Sequence, residues 1–276
     1  MTLLNALQRT LAAAAALAVS ACGQGGSGGD TIYTGGSIYT GLSEEARVEA
    51  ILVRDGRIVS AGPLVDALGQ TLFAEEIDIG DDAVMFPGFI RLGVDLVALG
   101  LEDRAPLSEP AQPARERAIV RAAEVLAIGG WTSIEAVNLS DGDRDLIETL
   151  TEDGKLPIRV LLSQGDDREL PLTHPTGASA FLTDVQQTRD ETTETPARGV
   201  RERVGRDQTL AALTTAPATA LGVDAQLGLV APGYHADFSV FNTDLMTAPE
   251  VDLADAEPVM TVVGGVITWR ADQSGR

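Results

Sequence analysis

The chain has 276 residues, of which 44% are hydrophobic and only 4% aromatic, so its core must be built mainly from Ala, Val, Leu and Ile. Its 41 acidic residues outnumber the 20 Lys and Arg residues and give a formal net charge of -21. A surface of that charge repels nucleic acid and anionic lipid, which argues against both as binding partners.

The first 22 residues have the pattern of a bacterial lipoprotein signal peptide. Arg9 supplies a positive charge, and the apolar run over residues 11–19 is too short to span a bilayer. This run leads into the small residues before Cys22, the only cysteine of the chain. We therefore predict that the Cys22 sulfur carries a lipid, with an ordinary cleaved signal peptide as the alternative.

The segment after Cys22 supports an anchored location. Residues 23–30, "GQGGSGGD", are typical of a flexible tether between a lipid and a folded domain. Gly23 replaces the aspartate that typically retains lipoproteins in the inner membrane. The predicted location is the periplasmic side of a bacterial membrane, at the outer membrane.

Residues 31–86 are predicted to form a small antiparallel sheet. The first stretch, "TIYTGGSIYTG", reads as two short strands interrupted by Gly35 and Gly36. The next, "VEAILVRDGRIVSAGP", predicts a hairpin that turns at Asp55-Gly56, the strongest short hairpin signal. Two more short strands are predicted on either side of residues 80–82.

Helices and strands then alternate, which indicates parallel strand pairing. The first helix places Ile119, Ala122, Ala123 and Leu126 on one face, and the strand "WTSIEAV" follows it. Ser140 and Asp143 fit a capping box that begins a second helix. The stretch "LPIRVLL" is then a buried strand.

The last third of the chain returns to β-structure. Residues 186–206 are almost all polar or charged and predict a surface loop or a partly disordered segment. Two short helices follow, the second ending at Gly222. The stretch "VVGGVI" then predicts a hairpin at Gly264-Gly265, which we expect to lie in the same small sandwich as the Asp55-Gly56 hairpin.

Segments near both ends of the chain resemble the amidohydrolase superfamily of metal-dependent hydrolases. "ILVRDGRIVSAGP" and "IDIGDDAVMFPGFI" are similar to the family's first hairpin and to its entry into the first barrel strand. "TLAALTTAPATALGVDAQLGLVAPGYHADFSVFNTD" and "VMTVVGGVITW" are similar to the helices after the last barrel strand and to the closing hairpin. Because these segments occur in the family's order, the chain is identified as a truncated or degenerate member.

The resemblance implies an α/β fold in which a small β-sandwich, formed by residues 31–86 and 223–276, adjoins a (β/α) barrel domain over residues 87–222. It also implies one or two Zn²⁺ ions that lower the pKa of bound water to about 7 and polarise a scissile carbonyl. The family takes its ligands from a His-x-His on the first strand, a Lys or Glu on the fourth, single histidines on the fifth and sixth, and an Asp on the eighth.

Transferred residue by residue, this ligand set is not found. The His-x-His positions hold Gly93, which has no ligand atom, and Asp95, which reads as a structural carboxylate at a strand end. His235 falls in the turn that returns to the sandwich, His174 in a proline-flanked stretch typical of the surface, and Asp184 at the place of the eighth-strand aspartate. One carboxylate without histidines is a poor zinc site, so we assign no catalytic or metal-binding residue and expect no cofactor.

The length of the middle segment also argues against a complete barrel. A full barrel takes about 250 residues, whereas residues 87–222 number about 140. Strands are predicted near 87–95, 132–137, 157–162 and 180–184, so strands four to seven of the family's barrel have no counterpart. We expect a partial, open (β/α) layer with unpaired edges, covered by a second copy in a homo-oligomer.

Three interpretations remain open. The chain is a lipid-anchored amidohydrolase-family protein that is catalytically impaired; or an active periplasmic hydrolase with a metal site built from Asp95, Asp184, His174 or a partner chain; or a fragment of a longer hydrolase gene. The small-molecule substrate is not assigned, because the loops that would select it are missing.

Overall fold

The computed structural model describes residues 29–43, 46–101, 111–162 and 198–271, with side chains from residue 205 onward in the last range. The strands are β1 (Asp30–Tyr39), β2 (Arg47–Arg54), β3 (Arg57–Gly62), β4 (Ala74–Asp78), β5 (Val84–Pro87), β6 (Phe89–Val94), β7 (Trp131–Ala136), β8 (Arg159–Leu162), β9 (Phe238–Phe241), β10 (Pro258–Val263) and β11 (Val266–Arg270). The helices are α1 (Leu64–Leu68), α2 (Leu96–Gly100), α3 (Gln112–Ile128), α4 (Asp141–Glu152), α5 (Arg198–Leu213), α6 (Thr215–Ala220) and α7 (Glu250–Leu253). Within these ranges no helix has the length and apolar composition needed to cross a membrane.

The larger sheet contains strands from both ends of the chain. Its order is β11-β10-β9-β5-β1-β2-β3, and β4 also pairs with β1. The two ends meet where β5 and β9 run antiparallel, with Met85 opposite Val240. Residues near the start and near the end of the sequence therefore share one hydrogen-bonded layer.

The two glycines in β1 do not interrupt the strand, contrary to the sequence interpretation. The strand runs through them with a register irregularity between Thr34 and Ile38. Before the glycines β1 pairs with β4, and after them it pairs with β5. Gly36 has φ +54°, and a Cβ there would lie 2.0 Å from the Ala83 carbonyl oxygen, so only glycine fits this change of partner.

Both predicted hairpins are present. Asp55 and Gly56 have φ of 49° and 73°, and Gly264 and Gly265 have φ of 58° and 74°, as two-residue turns with two left-handed positions require. The turns lie against each other, because a Cβ on Gly56 would come within 3.1 Å of the Gly264 carbonyl oxygen. The hydroxyl of Tyr33 also donates to the Gly265 carbonyl at 3.0 Å.

The smaller sheet has the order β6-β7-β8 and is parallel throughout. Helix α3 connects the first two strands and buries the predicted face, whose members are Ile119, Ala122, Ala123 and Leu126. Helix α4 connects the second pair, and its predicted capping box between Ser140 and Asp143 is formed in both directions. Local sequence signals therefore place both connecting helices correctly.

An aromatic cluster joins the two sheets. Phe241 of the larger sheet lies 5.5 Å, ring centroid to centroid, from Phe89 of the smaller one, and Phe89 lies 6.4 Å from Trp131. All three side chains are almost fully buried. One residue, Gly88, separates β5 from β6, so the chain passes directly from one sheet to the other.

The α/β class predicted from the sequence is confirmed. The predicted strand at 180–184 and most of the polar segment at 186–206 lie outside the described residues. The end of that polar segment was wrongly interpreted as a loop, because helix α5 begins at Arg198. Arg206 is buried, and its two terminal nitrogens donate to the carbonyl oxygens of Leu245 at 2.9 Å and Ala248 at 2.6 Å.

Candidate functional site

The carboxyl ends of the three parallel strands meet at one edge of the smaller sheet, which we call the carboxyl edge. Strands β6, β7 and β8 end there at Val94, Ala136 and Leu162. In sheets of this kind ligands bind at this edge, because loops of variable sequence leave the strands there. Functional side chains are therefore expected at the carboxyl edge.

Asp95, the first residue after β6, serves as a helix cap. Its Oδ1 accepts a hydrogen bond from the Ala98 amide at 2.8 Å, at the start of α2. Its Oδ2 accepts from the Asn138 side-chain amide at 3.4 Å, across the edge from β7. Both carboxylate oxygens therefore already have partners within the chain.

Gly93, at the other predicted ligand position, contributes only its backbone. Its φ of +67° is favoured by glycine and strained for any residue with a side chain. The Gly93 amide donates to Oε2 of Glu135 on β7 at 3.2 Å. At this position of the strand that carries paired histidines in the family, the chain thus presents a backbone amide, which is hydrogen-bonded to Glu135.

A cation and an aromatic ring lie on the same pair of strands. The guanidinium carbon of Arg91 is 5.5 Å from the centre of the Trp131 ring, a cation–π contact. Burial lowers the pKa of Arg91 from its ordinary value. Arg91, Glu135 and Asn138 were not singled out from the sequence. The sequence feature that could have identified them is a polar residue inside a predicted apolar strand or directly after it.

A second polar cluster lies at the opposite end of β8. Arg159, the first residue of that strand, donates to both oxygens of Asp237 at 2.9 and 3.0 Å. Each side chain is 5% exposed. Asp237 also accepts from the Gly264 amide at 2.7 Å, which ties the smaller sheet to the closing hairpin. This buried ion pair is a structural connection between the two sheets.

His235 lies near this ion pair, far along the chain from the carboxyl-edge residues. It forms an isolated bridge with Arg57, and its amide donates to the Gln226 carbonyl at 2.9 Å. Burial, reinforced by the charge of Arg159, lowers the pKa of His235 to about 4, so the imidazole is neutral at pH 7. Its place in the turn that returns to β9 agrees with the position expected from the sequence.

The described residues do not fit the family's zinc. Across the ranges with described side chains, no three His, Cys, Asp or Glu residues come together where they could hold a metal ion. A catalytic zinc site needs about three protein ligands, with nitrogen strongly favoured. Asp95 and Glu135, two carboxylates at the carboxyl edge, each accept a hydrogen bond from a backbone amide. His174, Asp184 and Cys22 lie outside the described residues.

Comparison with known proteins shows what part of the chain resembles. Residues 183–269 match the model of a family described as the amidohydrolase family. The resemblance to the amidohydrolase superfamily is confirmed. The matched amidohydrolase segment includes α5, α6 and β9 to β10, and with them the return to the larger sheet. No curated protein matches the sequence.

Solved structures with this amidohydrolase-like fold are distant in sequence. A Xaa-Pro dipeptidase with bound methionine is 10% identical, with a TM-score of 0.58 over 88% of this chain and 100% of that one. Molinate hydrolase is 11% identical, with a TM-score of 0.61 over 87% and 94%. An adenosine deaminase from Xanthomonas campestris with bound zinc is 12% identical, with a TM-score of 0.53 over 87% and 92%. At these identities the likeness establishes the fold alone.

Proposed function

We propose that this chain is an amidohydrolase-family protein, related to hydrolases of non-peptide carbon–nitrogen bonds, that lacks the family's zinc chemistry. The observation that carries the proposal is the carboxyl edge of β6. There Gly93 offers an amide instead of a side chain, and Asp95 caps a helix instead of pointing two free oxygens at a metal. The family's nucleophile is a metal-activated water, and the described residues bring together no three side chains that could hold that metal.

The proposal extends to architecture. We take β6 to β8 as part of an open (β/α) layer over residues 87–222, and residues 31–86 with 223–276 as a composite sandwich. The strand pairing supports both parts of this proposal. Among the described residues, β6 and β8 each have one strand neighbour, as the edges of an open layer do. The larger sheet contains strands from both chain ends. An edge of this kind is protected most simply by a second copy of the chain.

Metal analysis tests the functional proposal. We expect protein purified after growth with zinc to carry well under one equivalent of metal by elemental analysis. We also expect no chelator-sensitive hydrolysis of amides, ureas or cyclic imides. The reason is the ligand count: zinc prefers nitrogen and sulfur donors, and weak oxygen-bound Mg²⁺ or Ca²⁺ activates water far less.

The matched variant is Asp95→Asn. Asparagine is as good an N-cap as aspartate, so α2 and the fold should be unaffected, whereas a carboxylate ligand would be lost. Stoichiometric zinc in the wild type that disappears together with activity in Asp95→Asn, or in Asp184→Ala, would establish the active hydrolase with a non-standard site. The fragment interpretation is tested by resequencing the gene.

For location, we propose attachment through a lipid on Cys22 and exposure to the periplasm. The apolar run that ends in small residues directly before the single cysteine supports this location. In cell fractionation, wild-type protein should be recovered with membranes, and Cys22→Ser should be released or remain as unprocessed precursor. Wild-type protein found entirely in the soluble fraction contradicts the anchor.

A further inference from the structure

Four large apolar side chains are exposed within the short segment that connects β3 to β4. Val65 and Leu68 of α1 are 71% and 53% exposed, and Leu72 and Phe73 after it are 93% and 90% exposed. We call these four residues the apolar patch. Single exposed apolar residues are ordinary on a protein surface, but a concentration of them marks an interaction site.

The segment that carries the apolar patch is fixed to the fold. Ala67, on the other side of α1, is fully buried and packs with Ile32 and Leu52 of the sheet. Further along, the Thr71 hydroxyl donates to the Phe73 carbonyl at 3.1 Å, and the Arg54 guanidinium donates to the Gln70 carbonyl at 3.2 Å. The apolar side chains are therefore presented outward by an ordered segment whose inner side is already packed.

The apolar patch lies where the N-terminal tether meets the domain. Asp30, the first residue of β1, pairs with Ala74, the neighbour of Phe73. Arg54 donates to both Asp30 oxygens at 2.6 Å, and this contact lowers the pKa of Asp30 to about 2. Because Arg54 also holds the Gln70 carbonyl, the start of β1 and the segment of the apolar patch are fastened by the same side chain.

Chain length limits how far this place can be from the lipid. Cys22 precedes Asp30 by eight residues, a stretch that spans at most about 28 Å when fully extended. A lipid on Cys22 would therefore keep Asp30, whose strand partner Ala74 adjoins the apolar patch, within that distance of the bilayer surface.

We propose that the apolar patch docks the domain onto the lipid leaflet that holds the Cys22 anchor. The inference rests on the proposed lipidation. The lipid surface that suits this docking has zwitterionic headgroups. Asp66, Glu75 and the net charge of -21 disfavour anionic lipid. Leu72 and Phe73 enter the boundary between headgroups and acyl chains, as the apolar faces of interfacial helices do. A lipid anchor and a docking surface together fix the orientation of the domain.

Quenching by brominated lipid tests the docking. The full-length lipidated protein is reconstituted in phosphatidylcholine vesicles, with or without bromine on the acyl chains. The variant is Phe73→Trp, and the control is Val251→Trp in α7, where Val251 is 75% exposed. The native Trp131 and Trp269 are common to both variants and give the background. We expect bromine to remove roughly half of the added emission at position 73, a depth of about 5–10 Å, and to leave position 251 unchanged.

Each other result decides against the docking. Vesicle flotation without quenching at position 73 confirms the anchor and overturns the docking. Failure to float overturns both. Equal quenching at positions 73 and 251 shows contact without a preferred face. Emission at position 73 that shifts with protein density on the vesicle, but is not quenched, shows that a second copy covers the apolar patch instead.

Discussion

Replacement of Asp237 by alanine is expected to lower the free energy of unfolding by about 3–5 kcal/mol, because it leaves the buried Arg159 guanidinium without its partner. Both side chains of this pair are 5% exposed, so water cannot replace the lost carboxylate. The Gly264 amide loses its acceptor as well. Urea unfolding followed by circular dichroism measures the change.

Two comparisons isolate the ion pair. Asp237→Asn keeps an oxygen for the Gly264 amide but removes the charge and replaces the oxygen that accepts from Arg159 Nε with an NH2 group, so its loss of stability should lie between the wild type and Asp237→Ala. Lys155 makes a surface pair with Asp153 at 3.1 Å in which both side chains are about half exposed. Lys155→Ala should therefore cost less than about 1 kcal/mol. Equal losses in Asp237→Ala and Lys155→Ala would show that the buried pair does not connect the sheets.

Phe241→Ala should lower the free energy of unfolding by about 3–5 kcal/mol, the usual cost of removing a buried aromatic side chain. Its ring is fully buried and contacts Phe86 and Phe89, which belong to different sheets. The resulting cavity lies between the sheets, where neither can close it without moving the other. Thermal and urea unfolding both report the effect.

The matched control is Phe73→Ala, which removes the same atoms from a side chain that is 90% exposed. Its unfolding free energy should stay within about 0.5 kcal/mol of the wild type. If Phe241→Ala is as mild as Phe73→Ala, the aromatic cluster does not hold the sheets together.

Much of the fold could be predicted from the sequence because its signals are local. The two glycine-containing turns define their hairpins by backbone conformation alone, and the capping box of α4 lies within four consecutive residues. The buried face of α3 follows from the spacing of its apolar residues. Each of these features depends on neighbours in sequence.

What could not be predicted depends on residues far apart in the chain. Arg159 and Asp237 are 78 positions apart, and each looks like an ordinary polar residue in its own segment. The helix that contains Arg206 resembled a polar loop in sequence. The carbonyl oxygens that accept hydrogen bonds from Arg206 belong to residues about 40 positions later. At the carboxyl edge, the positions of the family's metal ligands could be predicted from the resemblance. The hydrogen bond between Gly93 and Glu135 could not, because it depends on how β6 and β7 are aligned.

Because both chain ends lie in one sheet, the newly made chain can complete that sheet only late in its synthesis. Strand β5 finds its partner β9 only after more than 150 further residues have been added, so its hydrogen-bonding edge stays open while the ribosome works. Contacts between such distant residues slow folding, because a large loop must close first. The signal peptide that we propose would direct the chain to a secretion channel, which accepts unfolded polypeptide, and slow folding would favour that passage. The order of strands thus leaves β5 without its partner β9 until Phe241 has been added to the chain.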